Sequence, residues 1–478
     1  AMEADVYAFQ LTMVNFLAVR RCIALFRAVR PQAFVVCGGP FLVTISEEIL
    51  ANEKSIDFIV LGEGEYTLLE LLKTLPAGDL AAIKGLAWRD AAGRTVVNEC
   101  RRPVENLDEL PFPARDFLET AQRDAVDGGL RESLRVISSR GCVGNCSFCC
   151  VNLYAKIFKG KRWRGRSPKH VVDELEYLCK TYNAKLFNYS DSSFEDPGEA
   201  GKRRAKAICE EILRRGLKLS AKVYMRCETM KTEADLDLLR LYKRAGIDMI
   251  IIGAEAGSDY ELELYEKHAS LADNYRTAIM LKDLVLFYIL VGFIMFGPFT
   301  TAATLRSNIA FLKTCGFADN IMQLANMLIL VRGSKIYYRL KEEGRVIEKE
   351  YWEQPQYTVI DPVGERMALK WQNMYVRYPV TKEVTSLQIN IGNVLSRMTN
   401  PMNAAVLSRF GDEYAEFKTR SQELNARLCS LNHDFFLESL ACIEKDVDDA
   451  RYDKMASDYF NGLYSEYAKH YDALYSGF

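Results

Sequence analysis

Three cysteines with the spacing CxxxCxxC fall within one short segment of the chain. Cys142, Cys146 and Cys149 belong to the run RGCVGNCSFC at residues 140–149. An iron–sulfur cubane is ordinarily held by four thiolates, so a loop that supplies three leaves one iron open to another ligand. The segment therefore predicts a 4Fe–4S cluster with one iron free for chemistry.

A structural zinc site is the alternative, because Cys150 follows Cys149 directly. Zinc sites favour two separated pairs of ligands, and two adjacent cysteines would have to bend sharply to share one tetrahedral ion. No second Cys or His pair follows at zinc spacing. The cluster is the preferred interpretation, and Cys150 is expected not to be a ligand.

Composition and charge narrow the choice of partners. Lys plus Arg is 62 against Asp plus Glu at 64, a net charge of -2, which does not favour nucleic acid. The 13 cysteines are scattered, which argues against a disulfide framework and favours a reducing, cytoplasmic compartment. The longest apolar run, Leu284–Pro298, falls short of the ~20 residues that span a bilayer, so no membrane partner is expected.

Strands alternate with helices at the start of the chain, which predicts a parallel, doubly wound sheet. The pattern gives strands at 6–9, 33–37 and 58–61, and a helix at 18–29. Ligands bind beyond the carboxyl ends of such strands, where glycines let them approach the backbone. The second and third strands are followed by four glycines: Gly38, Gly39, Gly62 and Gly64. The alternative is that these glycines form tight turns and contact no ligand.

From residue 135 the pattern predicts a partial (β/α) barrel. A first strand leads into the cysteine loop, and Ser167 and Pro168 then cap and begin a helix at 171–182. Further strands are predicted at 185–189, 218–224, 249–252 and 291–295. Barrel chemistry belongs at the carboxyl ends of the strands. Polar residues follow three of these strands: Ser190, Asp191, Arg226, Glu228 and Glu255.

The cysteine loop, with Phe148 just before its third cysteine, resembles the radical S-adenosylmethionine (SAM) family. In that family SAM chelates the open iron, and an electron from the cluster splits it to a 5′-deoxyadenosyl radical. The resemblance implies that Cys142, Cys146 and Cys149 act through the cluster. It also implies an acidic segment for the SAM amino group and an Arg for its carboxylate. The implied SAM contacts are Phe148, Ser190, Asp191, Arg226, Glu228 and Glu255.

Three further segments, GGP at 38–40, GEGE at 62–65 and LDELPFPARD at 107–116, resemble successive landmarks of cobalamin-binding radical SAM enzymes. The implied cobalamin contacts are Thr12, Asn15, Gly38, Gly39, Pro40, Gly62, Glu63, Gly64 and Glu65. A complete cobalamin domain has about five strands. We therefore expect its first strands to precede residue 1. The sequence does not identify the residue that binds the lower face of cobalt, since every His lies at residue 170 or later, outside the first domain.

The expected fold class is α/β, in four segments. They are a Rossmann-like cobalamin-binding domain at 1–78, a connector with a hairpin and a Pro-rich stretch at 79–130, the partial barrel at 131–349 and a helical domain at 350–478. In the last segment four tyrosines share one helical face: Tyr464, Tyr467, Tyr471 and Tyr475. Such a stripe usually packs against the body of a protein, and a substrate lid is the alternative.

Most enzymes that the chain resembles are methyltransferases. The resemblance therefore implies that a radical on an unactivated carbon of a natural product or peptide takes a methyl group from methylcobalamin. The cofactors would be SAM, a 4Fe–4S cluster and cobalamin, with an electron donor such as flavodoxin or ferredoxin. A cobalamin-dependent oxidation, rearrangement or cyclisation without methylation is the first alternative. A non-catalytic cobalamin sensor is the second.

Overall fold

The computed structural model describes residues 4–119 and 133–476, which form two compact units. Unit 1 comprises Ala1–Asn106, Phe148–Arg162 and Ile329–Thr358, and unit 2 comprises Leu107–Ser147, Trp163–Leu328 and Val359–Phe478. The expected junction between connector and barrel, at residues 130 and 131, lies outside the described residues. The division into four segments stays a prediction.

Unit 1 contains a five-stranded sheet in the order β1-β2-β3-β4-β5. Its strands are β1 (Val6–Gln10), β2 (Phe34–Gly38), β3 (Phe58–Val60), β4 (Leu86–Arg89) and β5 (Thr95–Val97). The first three run parallel, which confirms the predicted parallel sheet, while β4 pairs antiparallel with β3 and β5 pairs antiparallel with β4. The hairpin that was expected to be a separate connector therefore extends this sheet. Its Leu86 and Ala87 are fully buried, which explains why the hairpin docks.

Helices and turns connect and cover the strands of unit 1. The helices are Phe16–Val29, Ser46–Asn52, Gly64–Thr74, Val151–Ile157 and Lys335–Glu342. A small antiparallel ladder joins Val346–Ile347 to Gln356–Tyr357. Apolar side chains from all three segments of the unit share one core, in which the ring of Phe16 stacks on that of Trp352.

Unit 2 contains the predicted partial barrel. Its strands are β6 (Leu134–Val136), β7 (Ser139–Gly141), β8 (Trp163–Gly165), β9 (Leu186–Tyr189), β10 (Ser220–Arg226), β11 (Ile247–Glu255) and β12 (Tyr288–Phe293). Five of them form a parallel sheet in the order β12-β11-β10-β9-β6, while β7 and β8 form a short antiparallel pair. All carboxyl ends of the parallel strands consequently lie at one edge.

Helices alternate with these strands, as the sequence pattern predicts. They are Pro168–Tyr182, Gly198–Arg214, Glu233–Arg244, Asp259–Leu264, Leu271–Leu284, Ala302–Thr314 and Ile321–Leu324. The predicted cap is confirmed, because the Ser167 hydroxyl accepts the N–H of His170 at 3.2 Å and Pro168 takes the first helical position.

The chain after the barrel is helical and packs on the same core. Its helices are Pro362–Arg377, Val380–Met398, Ala404–Arg409, Gly411–Glu444, Asp449–Asp458 and Ser465–Ser476, with a π-helical turn at Tyr459–Tyr464. Tyr464 and Tyr471 are fully buried and Tyr475 is 40% exposed, so the tyrosine face serves packing. Over the described ranges, no helix is both long and apolar enough to cross a membrane.

Candidate active site

Asp191, the first acid after β9, has a carboxylate that accepts four hydrogen bonds from within the protein. One oxygen accepts the N–H groups of Ser138 at 2.7 Å and Ser139 at 3.1 Å, and the other accepts both serine hydroxyls. Burial raises the pKa of Asp191, and these donors oppose the shift. These four hydrogen bonds occupy the lone pairs of the carboxylate, which argues against the expected contact with the SAM amino group, and that contact stays a prediction. Asp191 instead holds the backbone that leads into the cysteine loop, and the neighbouring Ser190 is exposed.

The cysteine loop brings two thiols close to a guanidinium. A side chain at Gly144 would meet the Cys142 sulfur at 3.3 Å, the Cys146 sulfur at 4.0 Å and Nη1 of Arg226 at 3.6 Å, so glycine permits this close approach. Burial raises the pKa of Cys142 to about 11 and also raises that of Cys146. Cys149 follows Cys146 by three positions and belongs, with Phe148, to unit 1.

Arg226, at the end of β10, forms ion pairs with two carboxylates. Its Nη2 lies 3.1 Å from Oδ1 of Asp196, and its Nη1 lies 3.4 Å from Oε1 of Glu228. Oδ2 of Asp196 accepts the N–H of Val143 at 3.1 Å, which ties the cysteine loop to this ion pair. Asp196 was not expected from the sequence. It lies in the segment SDSSFED that follows β9, five residues beyond the acid that was chosen.

Three buried polar atoms of this group make no hydrogen bond among the described residues. They are Nε of Arg226, Oε2 of Glu228 and Oδ1 of Asp196, the last of which faces Arg226 only as an ion pair. A buried polar atom without a hydrogen bond is costly, so these atoms mark a place for a polar ligand or an ordered water. One donor and two acceptors in one group fit the carboxylate and ammonium of an amino acid, and therefore fit the methionine end of SAM.

Glu255, at the end of β11, forms a buried ion pair with Lys267. Oε1 of Glu255 lies 3.5 Å from Nζ of Lys267, and the lysine side chain is only 5% exposed. Burial lowers the pKa of Lys267, but the charges of Glu255, Cys146 and Glu228 raise it by more. Glu255 also has φ 67, in the left-handed region that side chains rarely adopt, at a register shift between β11 and β12. Strain of this kind is concentrated at functional sites.

A short helix, Asp259–Leu264, anchors the cysteine loop. The N–H of Ser147 donates to the carbonyl of Tyr265 at 2.8 Å, and its hydroxyl donates to the carbonyl of Leu264 at 3.2 Å. The side-chain amide of Asn145 donates to Glu266 at 2.9 Å. Lys267 and this anchor were missed at the sequence level, because Lys267 lies beyond the strand end and carries no motif of its own.

The residues expected to contact cobalamin lie at the carboxyl edge of β1, β2 and β3 in unit 1. Thr12 and Asn15 bond to each other, since each backbone N–H donates to the other's side chain, at 2.7 Å and 3.2 Å. Gly39 has φ 132, and a side chain there would meet the carbonyl of Leu11 at 2.6 Å. Pro40 begins a 3-10 turn, Pro40–Thr44.

The second glycine-rich segment follows β3. Gly62 has φ 81, and a side chain there would meet the ring of Phe158 at 2.9 Å. Oε2 of Glu63 accepts the N–H of Val104 at 2.8 Å, and Gly64 and Glu65 begin the helix Gly64–Thr74. The structure thus gives these residues local roles at one edge, and their contact with cobalamin stays a prediction.

Across the described residues, no group of three or more His, Cys, Asp and Glu side chains is gathered as a single metal ion would require. The cluster and the zinc alternative both stay predictions. In a cubane each thiolate binds a different iron, so cluster ligands need not converge on one point.

The family model of the radical SAM superfamily matches residues 136–312, from β6 to the helix Ala302–Thr314. This stretch contains Cys142, Cys146 and Cys149 together with Arg226 and Glu255. Residues 136–312 are therefore similar to the radical SAM superfamily, whose members use SAM and a 4Fe–4S cluster.

Two curated relatives carry different activities in their names. The chain is 32% identical over 290 residues to "Uncharacterized methyltransferase PH0819" of Pyrococcus horikoshii, covering 60% of this chain and 59% of the relative. It is 27% identical over 294 residues to "Anaerobic magnesium-protoporphyrin IX monomethyl ester cyclase" of Cereibacter sphaeroides, covering 60% of this chain and 45% of the relative. The chain thus spans about half the length of these relatives.

The chain shares its fold with a solved structure of low sequence identity. The solved structure "Cobalamin-dependent S-adenosylmethionine radical enzyme OxsB with aqua-cobalamin bound" superposes with a TM-score of 0.67 at 18% identity, over 96% of this chain and 76% of that one. At this identity the likeness is one of fold. It confirms the expected α/β class with its Rossmann-like sheet, barrel and helical C-terminal part.

Proposed function

We propose that the chain is a cobalamin-dependent radical SAM methyltransferase that methylates an unactivated carbon of a small-molecule or peptide substrate. The observation that carries the proposal is the polar group around Arg226. It lies next to the thiols of Cys142 and Cys146, and it has one buried donor and two buried acceptors without a hydrogen bond. A relative named as a methyltransferase supports the choice of reaction.

Each of three side chains binds a different group of SAM. Arg226 donates to the SAM carboxylate, Glu228 accepts from its ammonium, and Glu255 accepts from a hydroxyl of its ribose. When bound, the cluster and SAM supply a radical that takes a hydrogen atom from carbon, and methylcobalamin supplies the methyl group. Cys142, Cys146 and Cys149 hold the cluster, and the burial of the site keeps water from the radical.

We place cobalamin at the carboxyl edge of the unit 1 sheet. Gly39 and Gly62 have positive φ angles, and glycine at both positions lets a ligand approach the backbone at this edge. The sequence has no His in the segments of unit 1, so none of them supplies an imidazole to cobalt.

Anaerobic reconstitution tests the cluster and its chemistry. The protein should take up ~4 iron atoms per chain and release 5′-deoxyadenosine from SAM after reduction. Cys142→Ala with Cys146→Ala should lose both, whereas Cys150→Ala should keep both. Stoichiometric zinc in the purified protein, with no cluster after reconstitution, would sink the proposal.

A cyclisation without methylation is the second candidate, favoured by the relative named as a cyclase. SAM labelled in its methyl group separates the two. The full chain is incubated with reduced cluster, cobalamin and candidate substrates, and the label is located by mass spectrometry. Label in the product supports methyl transfer. A changed product without label, alongside labelled methionine, supports the second candidate and rejects the first.

A further inference from the structure

Unit 2 contains a cavity of about 550 Å³ that is separate from the residues around Arg226. It runs along the amino-terminal part of β12, from Tyr288 to Val291, whereas the candidate active site lies at the carboxyl ends of β10 and β11. Residues of the helices Val380–Met398 and Gly411–Glu444 also line it. This volume lies within the roughly 300–1,000 Å³ of typical small-molecule sites.

Two side chains that line the cavity are buried and have a polar atom without a partner in the described structure. Gln388 is 8% exposed, and its Oε1 has no donor, although its Nε2 donates to the carbonyl of Asp319 at 3.2 Å. Ser421 is fully buried, and its hydroxyl has no partner either. Buried polar groups are paired in most proteins, so these two atoms mark a place for a polar ligand group or an ordered water.

The charges that line the cavity favour an anion. They are three lysines and one acid: Lys282, Lys313, Lys418 and Asp319. Lys282 donates to the carbonyl of Gly316 at 2.7 Å and faces the ring of Phe317. Lys313 lies 3.1 Å from a ring nitrogen of His433.

Lys418 is the cation left available, since no acid in the described part of the chain lies within ion-pair distance of it. Lys418 and Ser421 are three residues apart on the helix Gly411–Glu444, so their side chains share one face. Tyr414, one turn before Lys418, lines the cavity on the same face.

About half of the other residues that line the cavity are apolar or aromatic. Phe287, Ile391 and Leu395 contribute to it, with Tyr288 and Tyr414. A ligand with an aromatic or aliphatic body would bury apolar surface there.

We propose that this cavity is a second small-molecule site, which binds an organic anion with an apolar body and a hydrogen-bond donor. The donor meets Oε1 of Gln388, and the acid group meets the ammonium of Lys418. The site is distinct from the SAM and cluster residues and does not depend on the reaction proposed above.

The fluorescent anion 8-anilinonaphthalene-1-sulfonate has all three features, namely a sulfonate, an N–H donor and an aromatic body. Titrating it into the 478-residue chain should give saturable binding to one site. Lys418→Glu should weaken that binding at least tenfold, because it replaces the cation by a carboxylate of the same charge sign as the probe. Lys469→Glu, at an exposed position of the last helix, makes the same change of net charge and should leave binding unchanged.

Leu395→Trp provides a second measurement, because the larger side chain fills the cavity without changing charge. It should abolish binding, while circular dichroism shows that helix content and melting temperature are kept. Absence of saturable binding to the unmodified protein would overturn the proposal. Equal binding by the unmodified protein, Lys418→Glu and Leu395→Trp would overturn it as well, since the probe would then lie elsewhere.

Discussion

Arg226 and Asp196 form an ion pair that ties the cysteine loop to the end of β10. Nη2 of Arg226 lies 3.1 Å from Oδ1 of Asp196, whose Oδ2 accepts the N–H of Val143 at 3.1 Å. Asp196 therefore orients the guanidinium that we propose for the SAM carboxylate and holds the loop that carries the thiols. Asp196 itself contacts neither SAM nor the cluster in the proposed site. It therefore acts by positioning Arg226 and the loop.

Asp196→Asn should weaken SAM binding and spare the cluster. The amide still accepts the N–H of Val143, but it loses the charge that aligns Arg226. A charge-assisted hydrogen bond is worth about 1–2 kcal/mol more than a neutral one, so the Kd for SAM should rise roughly 5- to 30-fold. Equilibrium dialysis with labelled SAM and iron analysis measure the two effects. Asp237→Asn, on an exposed side chain, is the control. Loss of iron with unchanged SAM affinity would contradict the assignment.

Asp191→Asn should have the opposite effects, namely less cluster assembly and unchanged SAM affinity. Asp191 accepts hydrogen bonds from the backbone and hydroxyls of Ser138 and Ser139, and an amide would turn a donor toward some of these donors. The expected cost is about 2–3 kcal/mol of unfolding free energy, with a lower melting temperature and less iron after reconstitution. The fraction that does assemble a cluster should bind SAM with unchanged Kd. A normal melting temperature with a raised Kd would instead restore the SAM contact expected from the sequence.

The contrast between these two acids shows what the sequence could and could not predict. Alternating strands and helices with polar residues at strand ends were enough for the sheet, the barrel and the place of Arg226 and Glu255. The sequence could not tell which acid of SDSSFED faces the loop, because the turn after β9 is irregular and has no fixed side-chain period. The role of Lys267 depends on a contact across twelve residues, which no local pattern reports.

Lys267→Met should destabilise the protein by leaving Glu255 buried without its cation. Removing one partner of a buried ion pair costs about 3 kcal/mol or more, since the other charge stays out of water. Glu255→Gln in the Lys267→Met background should recover part of that stability. Urea unfolding midpoints of the unmodified protein, both single variants and the double variant give the coupling directly. A double variant as unstable as the sum of the singles would show that the two side chains do not interact.

Glu261 predicts a pH dependence of stability. It is fully buried in the short helix that anchors the cysteine loop, and Oε2 accepts the side-chain amide of Asn308 at 2.9 Å and the hydroxyl of Ser258 at 3.2 Å. Burial raises the pKa of Glu261 from 4.5 to about 7, and these donors oppose the shift without cancelling it. The folded state therefore binds the proton more tightly than the unfolded state.

The sign of the effect follows from this difference. The contribution of Glu261 to stability is complete below pH 4.5 and is lost as the pH rises through about 7. Glu261→Gln, which stays neutral, should lack that loss, worth on the order of 3 kcal/mol between pH 5 and pH 8. Urea midpoints of both proteins at these two pH values measure it, with the exposed Glu263→Gln on the same helix as control. If the midpoints of the unmodified protein and Glu261→Gln change equally with pH, the Glu261 carboxyl is not the group that titrates.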